Sequence, residues 1–129
     1  MALTVRNRSM STTLMTRGRR ARAMFPCVLR LFRGDQLAPG EGLFLSPCTA
    51  PLTWFLSEPV DLLYVSEDWR AVAVAAEVPP WRFAGLVWGT RSIVVLPAGT
   101  LAASHTHAGD QIVVQENQET NSRAAGLHK

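Results

Sequence analysis

One carboxylate, Asp61, directly precedes the apolar run Leu62–Val65, so an acidic side chain enters a predicted buried strand. As a functional group it would be a general base held in a cleft. As a structural group it would accept backbone N–H bonds from the turn at Ser57 and Glu58 and anchor the strand. A buried charge without a partner is costly, and no basic residue lies close by in the sequence. We therefore interpret Asp61 as a structural carboxylate.

A second group of candidate residues lies in the stretch HTHAGD. His105 and His107 would point to the same side of a strand and could hold a metal ion together with Asp110. The Gly-Asp pair is a turn signal, however, which favours an exposed loop whose histidines bind no metal. We predict no metal site, a tight turn at Gly109 and Asp110, and a second turn at Gly99 with positive φ.

Four tryptophans and Phe83 are many large aromatic side chains for a chain of 129 residues. They could line a groove that stacks on sugar rings or nucleobases, although aromatic residues of a β-rich domain more often pack in the core. A ligand surface is expected first where two tryptophans flank Arg82, in a segment that opens with two prolines. The tryptophans are Trp54, Trp69, Trp81 and Trp88. The candidate binding residues are Asp61, Trp54, Trp81, Arg82, Trp88 and Asp110.

Basic and acidic residues are distributed unevenly along the chain. Residues 1–34 contain eight arginines and no acid, whereas residues 35–129 contain five basic and ten acidic residues. The cluster RGRRAR at residues 17–22 could contact phosphate or an acidic partner. No helix-turn-helix, zinc or RNA-recognition pattern accompanies it. We predict no specific nucleic-acid binding and interpret these arginines as the solvated face of a helix and its lead-in loop.

The common motifs of catalysis and membrane insertion are not found in the sequence. It has no nucleophile elbow, phosphate loop, paired-carboxylate motif or CxxC, and Cys27 and Cys48 are interpreted as reduced, buried thiols. No run approaches the roughly 20 apolar residues that span a bilayer, and the first 20 residues lack the apolar stretch of a signal peptide. We expect a cytoplasmic protein without a cofactor, whose partner is a protein or a small molecule and whose oligomeric state is unknown.

One segment has the spacing of an amphipathic helix. Gly34 would cap its C-terminus, and Pro26 requires that the helix begin near Phe25 or be kinked there. Its apolar residues follow an i, i+3, i+4, i+7, i+11 pattern, with arginines on the other face: Ala21, Met24, Phe25, Val28 and Phe32.

Short apolar runs between turn signals predict strands in the rest of the chain. One helical turn is expected at Leu101–Ser104, and the polar tail 115–129 is predicted to be disordered. The pattern indicates an α+β, mainly β domain at residues 1–114, with about eight short strands in a rolled sheet or partial barrel and one main helix. The predicted strands are Leu3–Val5, Thr12–Met15, Gly42–Leu45, Leu52–Phe55, Val60–Val65, Val72–Val78, Ile93–Leu96 and Gln111–Val114.

Several short motifs together resemble a known family. They are LAPGEGLFLSPC at 37–48, PVDLLYV at 59–65, VPPW at 78–81, LPAG at 96–99 and GD at 109–110. In their order and spacing the chain resembles the domain of unknown function 192 family, from about Leu3 to Val114. The resemblance implies a compact, β-rich single domain, and it supplies no reaction, substrate or cofactor.

The chain departs from this family pattern at four positions. A reactive or metal-binding cluster formed by these groups in relatives could not be reproduced here. We therefore expect a non-catalytic binding or accessory module of this family. The alternative is a small hydrolase-like enzyme with a site around Asp61 and Asp110. The family's histidine, methionine, arginine and glutamate are replaced by Leu52, Leu56, Ser57 and Val95.

Overall fold

The computed structural model describes residues 3–21, 27–28, 40–46, 51–52, 58–79 and 87–116. These ranges contain nine strands and one short helix. In chain order the elements are β1 (Leu3–Asn7), β2 (Thr12–Ala21), β3 (Cys27–Val28), β4 (Glu41–Leu45), β5 (Pro51–Leu52), β6 (Val60–Ser66), β7 (Ala71–Val78), β8 (Thr90–Pro97), α1 (Thr100–Ala103) and β9 (Ile112–Glu116). No helix in the described part of the chain is long and apolar enough to cross a membrane.

Seven of these strands form one mixed sheet in the order β7-β6-β8-β4-β2-β1-β9. Neighbouring strands are antiparallel, except that β2 and β4 run parallel. The short strands β3 and β5 pair separately, also in parallel. The first and last strands of the sheet in sequence, β1 and β9, are therefore direct neighbours.

Backbone hydrogen bonds join the two edges of the sheet at one end. The Ala71 N–H donates to the Asp110 carbonyl oxygen at 2.8 Å, and the Gly109 N–H donates to the Ala71 carbonyl oxygen at 2.7 Å. Arg70 and Gln111 form an isolated bridge beside them. No ladder joins the described residues of β7 and β9 beyond this point. The sheet is rolled but not closed into a barrel, which confirms the expected mainly β, single-domain fold.

Both faces of the central strands are buried. Leu63 and Val65 of β6 point to one side, where the inner cluster lies, and Leu62 and Tyr64 point to the other side, where the outer cluster lies. This period of two places every β6 residue from Val60 to Val65 in a buried environment and explains the continuous apolar run. The inner cluster contains Leu3, Val5, Leu14, Met15, Phe44, Leu63, Val65, Ala71, Val94, Leu96, Leu101 and Ile112. The outer cluster contains Leu43, Leu45, Val60, Leu62, Tyr64, Ile93 and Val95.

The helix expected between Ala21 and Gly34 is wrong where the structure describes it. β2 continues through Ala21, because Arg17–Ala21 pair in parallel with Glu41–Leu45 of β4, and Cys27–Val28 form β3. Strand pairing thus overrides the helical spacing of the apolar residues. The arginines at 17, 19 and 20 lie in a strand and not on a helix. The rest of that prediction falls at 22–26 and 29–34, outside the described residues.

The other element predictions agree with the structure to within a few residues. The single helical turn is α1, which starts one residue before the expected Leu101. β9 extends through Glu116, two residues beyond the expected end of the domain, so the start of the predicted disordered tail is wrong. The remaining tail, most of the strand predicted at Leu52–Phe55, and Cys48 lie outside the described residues.

Candidate functional site

The Asp61 carboxylate is fully buried, and both of its oxygens accept backbone N–H bonds. The Glu77 N–H donates to Oδ1 at 2.8 Å, and the Leu101 N–H donates to Oδ2 at 2.8 Å. Asp61 is thus a structural carboxylate that accepts backbone N–H bonds, as interpreted from the sequence. The donors were expected in the turn at Ser57 and Glu58, whereas these two lie on β7 and α1, 16 and 40 residues away in the sequence.

A β-bulge brings the Glu77 N–H to Asp61. Val60 pairs with Val78 and Leu62 pairs with Ala75, so β7 has one extra residue opposite Asp61. Glu77 has a φ of +52°, a left-handed conformation that few residues other than glycine adopt. Such a bulge removes a backbone group from the regular ladder and leaves it in need of a partner. The Asp61 carboxylate is that partner.

Asp61 also caps the first turn of α1. The residue before the helix is Gly99, which has a φ of +94° and supplies no side-chain cap. The first N–H groups of a helix lack partners within it and need an acceptor from elsewhere. Asp61 provides this acceptor to Leu101 from β6. The charge at the start of β6 therefore fixes α1 and the bulged β7 against the rolled sheet.

A second buried polar side chain, Asn7, connects the β1–β2 turn with the segment after α1. Its Nδ2 donates to Thr106 Oγ1 at 3.0 Å and to Asp110 Oδ2 at 2.9 Å, and its Oδ1 accepts the Met10 N–H at 3.0 Å. The His107 N–H also donates to Asp110 Oδ2, at 2.9 Å. The Asn7 side chain and then the His107 backbone lower the pKa of Asp110 below its usual value of 3.8.

Hydroxyl groups continue this network to α1. Ser104 Oγ and Thr106 Oγ1 are 2.8 Å apart, and Ser104 Oγ also donates to the Thr100 carbonyl oxygen at 2.8 Å. Thr12 Oγ1 donates to the Ser104 carbonyl oxygen at 2.8 Å. Because these buried or part-buried groups are hydrogen-bonded to one another, the network holds α1 beside β2 at little desolvation cost.

A groove of about 590 Å³ lies between β2 and the segment that contains α1. We call it the α1 groove. Leu14 and Met15 are its buried apolar members, and no described side chain that lines it is titratable. Five lining residues carry hydroxyl groups. The lining residues are Thr12, Thr13, Leu14, Met15, Thr16, Gly40, Pro97, Ala98, Gly99, Thr100, Ala103 and Ser104.

Three of the groove hydroxyls already donate their proton to the protein. Thr12 Oγ1 donates to Ser104, Thr100 Oγ1 donates to the Pro97 carbonyl oxygen at 2.7 Å, and Ser104 Oγ donates to Thr100. A hydroxyl oxygen that has donated its proton keeps lone pairs that accept further hydrogen bonds. The groove therefore presents hydrogen-bond acceptors around an apolar floor. It was not predicted from the sequence, because scattered threonines and a serine form no motif.

The structure does not unite the residues of the hydrolase alternative in an open site. Asp61 is bonded to Glu77 and Leu101, whereas Asp110 is bonded to Asn7 and His107. Neither carboxylate lines the α1 groove.

The histidines and the turn glycines lie where an exposed loop would place them. His105 and His107 are exposed. Among the described residues no three histidine, cysteine or acidic side chains come together in a way that could hold a metal ion. Gly109 has a φ of +98°, the conformation expected of the tight turn before the last strand.

The two tryptophans of the described residues, Trp69 and Trp88, lie in different surroundings. The Trp69 ring stacks on buried Phe44 with centroids 6.0 Å apart and so packs against the core. Trp88 is 86% exposed in the turn before β8 and does not line the α1 groove. Trp54, Trp81 and Arg82 lie outside the described residues, so a ligand surface there stays a prediction.

Comparison with known proteins gives structural likeness alone. No protein-family model matches the chain, and no curated protein matches it in sequence. A protein of unknown function from Novosphingobium aromaticivorans DSM 12444 is 21% identical with a TM-score of 0.61, over 86% of this chain and 82% of that one. A "putative transcription regulator" from Sinorhizobium meliloti 1021 is 18% identical with a TM-score of 0.64, over 87% of this chain and 91% of that one. At these identities the likeness shows the fold.

Proposed function

We propose that this chain is a non-catalytic binding module that takes a small ligand in the α1 groove. The volume of about 590 Å³ lies within the range of roughly 300–1,000 Å³ that is typical of small-molecule pockets. One observation carries the proposal: the described lining has hydroxyl and apolar groups but no acid, base or metal ligand. Such a surface can bind a ligand but offers nothing that moves a proton.

The chemistry of the groove defines the ligand. Because Thr12, Thr100 and Ser104 donate their hydroxyl protons to backbone carbonyls, these three oxygens favour a ligand that carries N–H or O–H donors. Leu14 and Met15 favour an apolar body beside those donors. An uncharged ligand fits the described lining best, since none of those lining side chains carries a charge that would compensate a charged ligand for its lost hydration.

The resemblance of the sequence motifs extends the proposal to family membership. We propose that the chain belongs to the domain of unknown function 192 family, supported by the order of its motifs and by its single β-rich domain. The Sinorhizobium neighbour is described as a transcription regulator, and we do not propose that role for this chain. The one helix of the described residues, α1, has four residues, about 6 Å of helix, too short to read a DNA major groove.

The proposal can be tested with two small probes, isopropanol and acetamide, titrated against ¹⁵N-labelled protein in amide NMR spectra. Both should produce saturable shifts at the Leu14, Thr16 and Thr100 amides. Ala103→Leu should weaken them at least fivefold, because Ala103 lines the groove and the larger side chain fills it.

Ala102→Leu is the matched control, since Ala102 is exposed on the same helical turn but does not line the groove. It should bind both probes as the unmodified protein does. Shifts spread over the whole surface, or equal binding by the Ala103→Leu and Ala102→Leu variants, would exclude the α1 groove as the binding site.

A further inference from the structure

A second groove, of about 310 Å³, lies on the outer side of the sheet at its β9 edge. We call it the β1 groove. Leu3, Val5 and Asn7 of β1 are buried, whereas Arg6 between them is exposed, so Arg6 points away from the inner cluster. The groove is lined by Arg6, Arg8, Ser11, Val113 and Gln115. It shares no lining residue with the α1 groove.

Among the described residues the arginines of the β1 groove have no acidic partner. Arg6 lies opposite Thr13 on β2 and opposite Val113 on β9, both uncharged. Cross-strand neighbours are the residues that would pair with an exposed charge on a sheet. Within the described part of the chain neither Arg6 nor Arg8 has a carboxylate partner. Two positive charges therefore line one groove, and no described carboxylate neutralises them.

The uncharged members of the groove add hydrogen-bond donors. Ser11 is exposed in the β1–β2 turn with a φ of +56°, and Gln115 is exposed on β9. No described residue accepts a hydrogen bond from either side chain. Each guanidinium carries five N–H donors, the amide carries two and the hydroxyl carries one. Donors thus converge on the groove from a strand, a turn and a second strand.

We propose that the β1 groove binds the phosphate group of a small anionic ligand. A phosphate has several oxygens arranged as a tetrahedron, which suits donors that arrive from three different elements. A planar carboxylate would satisfy fewer of them. Guanidinium groups pair with phosphate oxygens through two parallel hydrogen bonds. The β1 groove is separate from the α1 groove. A failure of this phosphate proposal would therefore leave the proposed function of the α1 groove unaffected.

The experiment is an NMR titration of the full chain with sodium phosphate at pH 7.5, against sodium chloride at matched ionic strength. Phosphate should shift the Arg6 and Arg8 Nε–H signals, the Gln115 side-chain amide and the Ser11 amide together. The dissociation constant should lie in the millimolar range, because exposed ion pairs are individually weak. The double variant Arg6→Gln and Arg8→Gln should weaken binding by about tenfold or more, since two charge-assisted contacts are lost.

Arg91→Gln is the matched control, because Arg91 is equally an exposed strand arginine but lies on β8 with Glu67 at 3.8 Å. This variant should bind phosphate as the unmodified protein does, and all variants should have unchanged urea midpoints. Shifts that grow linearly without saturation, or that also appear at Arg91, would show general screening and overturn the site. Acetate that binds as tightly as phosphate would overturn the phosphate preference. If a 12-mer of deoxythymidylate binds more than tenfold tighter than phosphate, the ligand of the β1 groove is a nucleic acid and the small-ligand proposal is wrong.

Discussion

Replacing Asp61 tests the physical claim on which the architecture depends. The carboxylate accepts two backbone N–H groups at 2.8 Å, one from the bulge of β7 and one from the first turn of α1. In Asp61→Asn one oxygen is exchanged for an amide NH₂, so one of the two N–H donors faces another donor. In Asp61→Ala both N–H groups lose their acceptor.

The magnitude follows from the cost of those lost bonds. A hydrogen bond to a charged group contributes about 1.5–3 kcal/mol, and a buried group left without a partner costs about 1–3 kcal/mol. We expect Asp61→Asn to lower the free energy of unfolding by about 2–3 kcal/mol and Asp61→Ala by about 3–5 kcal/mol. Against a total of about 5–15 kcal/mol for a domain, either loss is large.

Urea unfolding followed by circular dichroism measures these losses, and amide hydrogen exchange shows where they act. Exchange should accelerate at Leu101 and Glu77 before it accelerates in the central strands. Glu77→Gln is the control, because it neutralises an exposed carboxylate beside the same bond but keeps the backbone donor. It should change stability by less than about 0.5 kcal/mol. An Asp61→Asn protein as stable as the Glu77→Gln protein, with normal protection at Leu101, would refute the reasoning.

Two further predictions concern acid stability and close packing. Asp110 has a folded-state pKa lowered by the Asn7 side chain, so its ionised form stabilises the fold above pH 3.8 and this contribution is lost as the pH falls through the lowered value. Asp110→Asn should therefore show a shallower fall of the urea midpoint between about pH 5 and 2, and a slope equal to that of the unmodified protein would contradict this. A Cβ at Gly42 would lie 2.8 Å from a backbone carbonyl oxygen of β8, whereas at Gly18 its three nearest atoms would all belong to the flexible Met15 side chain. Gly42→Ala should thus lower the thermal midpoint more than Gly18→Ala, and the reverse order would contradict the packing.

The strands could be predicted because their signal is local. β6 and β8 alternate between two buried faces, so their residues form unbroken apolar runs between turn residues. The segment at Ala21–Val28 was predicted wrongly because its structure depends on residues distant in the sequence. Its apolar spacing fits a helix, but the parallel pairing of β2 with β4 depends on residues 24 positions away. Local propensity carries no information about such a partner.

The role of Asp61 was predictable and its partners were not. The high cost of a lone buried charge implies hydrogen-bonded oxygens wherever such a residue occurs. Which N–H groups supply those bonds is decided by the bulge at Glu77 and by the placement of α1, neither of which has a sequence signature. The α1 groove was not predicted either, because its lining residues are distant in the sequence. Its hydroxyls come from β2 and from the α1 segment, about 90 residues apart, as the bond from Thr12 to Ser104 shows.

The pairing of β1 with β9 has a consequence for the synthesis of the protein. Leu3 lies opposite Glu116 and Asn7 opposite Ile112. The pairing of β1 on this edge therefore cannot form until β9 has been translated. Ribosomes add about 5–20 residues per second, which leaves one edge of β1 open on the nascent chain for roughly 5–20 s. Open edges invite pairing with other chains, and charged side chains discourage it. Arg6 and Arg8 are such charged side chains, on β1 and directly after it.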